Sequence, residues 1–163
     1  MKKELLAFVF LAIIALLINR QAIFALECKV DLDSTEVIET KEILQYILEK
    51  RAILFNSLAN NESEFLEIKS ELRALEIDPL YKYDIEAFAL LLDEPSGIDL
   101  IHEVNVMGIE DYEKVEDKIM LVANVKWIME DVAGQYIELR RYRFHLCLDD
   151  NIYKLQDYEL IVE

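Results

Sequence analysis

Glycine, proline, cysteine, histidine and tryptophan are all scarce. The 163 residues hold three glycines, two prolines, two cysteines, two histidines and one tryptophan. With so few glycines there is no Gly-rich loop to cradle a phosphate, and no linker, repeat or low-complexity tract divides the chain. No His-x-Glu, Cys-x-x-Cys or His-Glu-x-x-His spacing occurs, so zinc is unsupported and no metal or cofactor is expected. The Gly-x-Ser-x-Gly elbow of hydrolases is also missing. Basic residues are outnumbered, at 17 against 33 acids, for a net charge of −16. A surface of that sign repels phosphate backbones and anionic headgroups, which excludes nucleic acid as a partner.

What is present begins with an export signal. Two lysines, Lys2 and Lys3, precede an unbroken apolar run from Leu5 to Ile18. Asn19, Arg20 and Gln21 end that run, and Ala22-Ile23-Phe24-Ala25 offers cleavage after Ala25. This order is that of a secretory signal peptide of bacterial type. Residues 1–25 are therefore read as the signal and residues 26–163 as one domain. The alternative is an uncleaved anchor over residues 5–26, which would tie the chain to a membrane through that segment alone. In both cases the domain is extracytoplasmic. Removing residues 1–25 takes away three bases and one acid, leaving 14 bases, 32 acids and a charge of −18.

The two cysteines, Cys28 and Cys147, are a candidate disulfide in an oxidising compartment. The plainer reading is that they never meet. Asp31, Asp33, Thr35 and Glu42 match some calcium-loop positions, but Glu36 stands where that loop needs glycine. Asn61-Glu62-Ser63 is a glycosylation sequon, which a bacterial signal makes irrelevant.

The middle of the chain has helical spacing. Val37, Leu44, Ile47, Leu48, Leu54, Phe55 and Leu58 recur at threes, fours and sevens, after a start at Asp33 to Glu36. Phe65, Ile68, Leu72 and Leu75 mark a second helix, capped by Ser63 and ended by Asp78-Pro79. A third fits Asp84 to Leu92. After Pro95-Ser96-Gly97 the period falls to two. Leu100 to Met107 alternates, Gly108 suggests a bulge, and Glu113 to Lys118 reads as a turn. Ile119, Leu121, Ala123, Val125, Trp127 and Met129 share one face of the next strand. A hairpin loop at Asp131 to Gly134 pairs Glu130 with Gln135, Ala123 with Tyr142, Leu121 with Phe144 and Ile119 with Leu146. In the last hairpin the expected pairs are Leu146 with Tyr153, Phe144 with Leu155 and Tyr142 with Asp157.

Helices followed by long antiparallel hairpins make an α+β fold, with the helices packed in a curved antiparallel sheet. Ile119 to Met129, Tyr136 to Leu148 and the ending Leu148-Asp149-Asp150-Asn151-Ile152-Tyr153-Lys154-Leu155 carry a resemblance to the nuclear-transport-factor-2-like superfamily. That superfamily has a cone-shaped α+β fold, and Tyr153 stands where Trp is more usual in it. Members often have a short strand between their helices, and none is evident here. A cystatin-like sheet wrapped on one helix is the alternative fold.

The resemblance implies a pocket between sheet and helices. Trp127, Arg140, Tyr142, Phe144, Tyr153 and Asp157 are its candidate lining. An Asp157 held among apolar neighbours would act as a general base, and Arg140 would neutralise it or hold an anionic ligand. The plainer reading makes the aromatics core and leaves Asp157 at the exposed end of the sheet. Arg141, Arg143 and His145, on the other face, would pair with acids on neighbouring strands. The first function open to the chain is a non-catalytic module that binds a small molecule, peptide or envelope protein, and the second is an isomerase- or dehydratase-like enzyme with Asp157 as base. A membrane-anchored subunit of an envelope complex is a third.

Overall fold

The computed structural model describes residue 32 and residues 34–60, 63–93 and 99–162. The signal segment, Cys28, Asp31, Asp33 and the Pro95-Ser96-Gly97 turn lie outside them. Three helices are followed by four strands. The helices are α1 (Thr35–Ala59), α2 (Phe65–Leu75) and α3 (Leu80–Asp93), and the strands are β1 (Leu100–Val115), β2 (Lys118–Asp131), β3 (Gly134–Asp149) and β4 (Ile152–Leu160). The strands form one antiparallel sheet in the order β1-β2-β3-β4. This is the α+β class the sequence indicates. Among the described residues no helix is long and apolar enough to cross a membrane.

Ser34 caps α1, its hydroxyl accepting from the Val37 N–H at 3.4 Å. The cap falls one residue after the expected Asp33. Val37, Leu44, Ile47, Leu48, Leu54 and Leu58 are buried along one face of α1, as the spacing requires. α2 has no side-chain cap and stops at Leu75, before Asp78-Pro79. It stops early because Glu76 turns extended and bridges Leu155 in parallel, while the Ile77 N–H donates to the Leu155 carbonyl at 3.0 Å. A vestige of a strand between helices is thus present after all. α3 begins at Leu80, four residues earlier than its periodicity suggests.

β1 runs on through the supposed turn to Val115, leaving Glu116 and Asp117 to make the bend. Register shifts after Ile101, Val106 and Ile109 keep Val104, Val106 and Tyr112 on the inner face despite imperfect alternation. One shift adjoins Gly108. The β2–β3 register is as expected, with Ala123 opposite Tyr142, Leu121 opposite Phe144 and Ile119 opposite Leu146. The ladder also closes one pair further, at Asp131 and Gly134. There the Asp131 carboxylate accepts from the Ala133 N–H at 2.6 Å and the Gly134 N–H at 3.1 Å.

The last hairpin differs from expectation. Asp150 and Asn151 make a two-residue turn with φ of 52° and 63°, the conformation Asp and Asn tolerate best among residues with a side chain. Asp149 therefore pairs with Ile152, and Leu146 with Leu155. An extra residue at Gln156 then shifts the register, so Phe144 meets Tyr158, Tyr142 meets Leu160 and His145 meets Asp157.

Helices cover the inner face of the sheet. Leu44, Ile68, Leu72, Ala123, Val125 and Leu155 are 0% exposed, and Leu48, Leu121, Phe144 and Leu146 are 1% exposed. Such values put these side chains essentially out of reach of a water-sized sphere. Around these ten residues the inner face is close-packed hydrocarbon, while Trp127 on the same face is half-buried and Arg140 is exposed.

Candidate functional site

Four of the six candidate lining residues come together on the inner face. Val125 lies opposite Arg140, Trp127 opposite Glu138 and Ala123 opposite Tyr142, with Phe144 two residues on. Tyr142 and Phe144 have ring centroids 5.6 Å apart. Trp127 packs against the core with its indole nitrogen buried. Arg140 pairs with Glu138 across one turn of the pleat. Burial raises the Tyr142 phenol above its ordinary range, and the adjacent Arg140 guanidinium opposes that rise.

The other two candidates are elsewhere. Tyr153 lies at the far end of the sheet, opposite Leu148, with the Lys114 ammonium 5.7 Å from its ring centre. Asp157 is exposed beside His145 on the outer face, its Oδ1 accepting the Tyr158 N–H at 2.8 Å. The extra residue at Gln156 causes this, since one inserted residue turns every following side chain over. Tyr158 takes the inner position in its place, 5.9 Å from Tyr142 and 6.2 Å from Phe144 between ring centroids. The arrangement leaves the expected general base outside the cluster, with no contact to Arg140.

Three residues absent from the expected lining extend the cluster. Arg51 of α1 stacks over Tyr158, its Cζ 5.0 Å from the ring centre. Its guanidinium binds Glu76 through Nε and Asp84 through Nη2. The Arg51 and Asp84 side chains are only 14% and 13% exposed, and that of Glu76 is 0% exposed. Burial pushes the Glu76 carboxyl up to about 8, with Arg51 pulling it down and Asp84 adding to the rise. Burial also works against the charge on Arg51, but Asp84 and Glu76 outweigh it and hold its pKa above the ordinary value. One cation thus sits between two carboxyl groups, of which the deeper one is held well above the usual carboxylate range by its burial. Chemically this triad is a clamp joining α1, the turn after α2, and α3.

The signal for Glu76 was present in the sequence. Ile68, Leu72 and position 76 are four apart, so Glu76 continues the buried stripe of α2. Arg51 and Asp84 had no comparable signal.

On the outer face, Arg141 of β3 reaches past β2 to bind Glu110 of β1 at 2.7 Å, Arg143 pairs with Glu159 of the adjoining β4, and His145 stands opposite Asp157 in the β3–β4 ladder. Cys147 is half-buried there, its Sγ 3.8 Å from the Leu148 carbonyl oxygen. Among the described residues no group of three His, Cys, Asp or Glu side chains converges to hold a metal ion.

No protein-family model matches the chain, and no curated protein matches it. Among solved structures, the fold is similar to the crystal structure of the intermembrane space region of the chloroplast protein ARC6. The TM-score is 0.52 at 7% sequence identity, over 76% of this chain and 97% of that one. At that identity the likeness is one of fold.

Proposed function

We propose that this chain is a non-catalytic, extracytoplasmic interaction module that meets a peptide or protein of the cell envelope through its surface. The close packing of the inner face around Phe144 carries the reading. A pocket enzyme needs a cavity with unsatisfied chemical groups facing it. Here Phe144, Leu121 and Leu146 are buried in packed core, and the carboxyl groups at the aromatic cluster are paired, Glu76 and Asp84 with Arg51 and Glu138 with Arg140. The likeness to an intermembrane space region is compatible with a module of this kind. Within the α+β class, the finer membership proposed is the nuclear-transport-factor-2-like superfamily, supported by the bridge between Glu76 and Leu155 in the helical half.

Thermal denaturation of the exported protein against a panel of small metabolites tests this. The expected result is that no compound raises the melting temperature. A compound that stabilises the protein, and loses its effect in Tyr142→Phe, contradicts the reading. Mass spectrometry of the exported protein separates cleavage from anchoring, because a first residue of Leu26 excludes an anchor over residues 5–26.

A further inference from the structure

We infer that the groove between α1 and the free edge of β1 holds a positively charged, extended segment of a partner protein that inserts one aliphatic side chain. This rests on the reading of the chain as an interaction module and specifies the chemistry of its partner.

β1 is an edge strand, and an open edge ordinarily invites another strand. Along Ile101 to Val106 that route is closed. The Asn56 side chain donates to the Ile101 carbonyl at 2.7 Å and accepts the Ile101 N–H at 3.0 Å. Three turns earlier in α1, Gln45 donates to the Val104 carbonyl at 2.6 Å and accepts the Val106 N–H at 2.7 Å. Two side-chain amides thus occupy the edge as the backbone of a neighbouring strand would. A partner at this stretch must be recognised by side chains.

Between the amide contacts a groove of about 230 Å³ opens, lined by Glu49, Ala52, Ile53, Ile101, His102, Glu103 and Val104. It is smaller than the roughly 300–1,000 Å³ of small-molecule sites. Ile53 is 55% exposed, and Tyr46, two turns away along α1, is 54% exposed. The apolar floor is therefore wet in the isolated chain. The rim is acidic. The Glu49 carboxylate accepts the Gln45 amide at 2.8 Å, and that of Glu103 accepts the Asn105 amide. Both of these partners are neutral amides. His102 at the same rim is already paired with Glu130. With a chain charge of −16 behind it, the groove attracts cations from a distance and selects among them by the apolar contact.

The test is fluorescence anisotropy of the exported protein with a labelled nonapeptide, a central leucine flanked by lysines, alongside the same peptide with glycine at the centre. The leucine peptide is expected to bind saturably, at least tenfold more tightly than the glycine peptide. Ile53→Asp, at an exposed position, and Glu103→Lys are each expected to weaken it at least tenfold with the circular dichroism spectrum unchanged. Equal binding of both peptides, failure of the leucine peptide to bind, or full affinity in Ile53→Asp overturns the assignment. Failure here with no metabolite response leaves the module reading standing without this groove, whereas a stabilising metabolite lost in Tyr142→Phe overturns the module itself.

Discussion

α1 is held on two sides by different chemistry. Toward β1 it offers neutral amides, Gln45 and Asn56, which lie eleven residues apart and hence on the same side of the helix. Toward α3 and β4 it offers Arg51, about a third of a turn away, which clamps two carboxyl groups under Tyr158. The amide side satisfies backbone groups without moving charge into the interior, so pH leaves it alone. The ionic side buries charge, and its strength depends on protonation. A surface meant for a partner is better framed by the first, and a fixed internal joint can tolerate the second.

The largest expected effect comes from breaking the ionic side. Arg51→Met leaves Glu76 and Asp84 without their cation, which should cost about 3–5 kcal/mol in urea denaturation at pH 8. The loss should shrink at pH 5, where Glu76 holds a proton. A cost independent of pH would mean that Arg51 acts by packing alone.

On the amide side, Asn56→Ala orphans the N–H and carbonyl of Ile101. The expected cost is about 1–3 kcal/mol, equal at pH 5 and pH 8. If that cost changed with pH, the contrast between the two sides would fail.

Glu76→Gln sharpens the comparison without unfolding anything. The Glu76 pKa is raised from its ordinary value near 4.5 to about 8 on folding. The folded state therefore binds more protons than the unfolded one between those values, and its stability falls as pH rises through that window. The groups facing Glu76 are Arg51 and Asp84, so the comparison must be made against wild type over the same titration. Melting curves should show a fall in wild type that is absent from the variant. The smallest effect expected is that of Ser34→Ala, about 0.5 kcal/mol by thermal melting, because the cap bond is long at 3.4 Å.

The difference between the two sides also explains what could be read in advance. Apolar spacing identifies α1 and α2, and two-step alternation fixes the β2–β3 register, because a slip there would expose Leu121 and Phe144. The β3–β4 register was ambiguous, since Asp149, Asp150 and Asn151 are all turn formers and the insertion at Gln156 has no signature. That one residue carried Asp157 to the outside and brought Tyr158 in. By composition Glu113 and Lys114 resemble a turn, so the sequence pattern ends β1 too early. The clamp was hidden because Arg51 and Asp84 meet only through the tertiary fold, although Glu76 lay in phase with Leu72.

On the function proposed above, the interior is packed and the chain works from its surface. Methyl NMR spectra under xenon pressure test it most directly, since xenon enters dry apolar cavities and not close-packed cores. The methyl resonances of Leu44, Leu121 and Leu146 should stay in place as xenon is added. A saturable shift at those three leucines would reveal a hollow interior and return the pocket, and with it an enzyme, to the account.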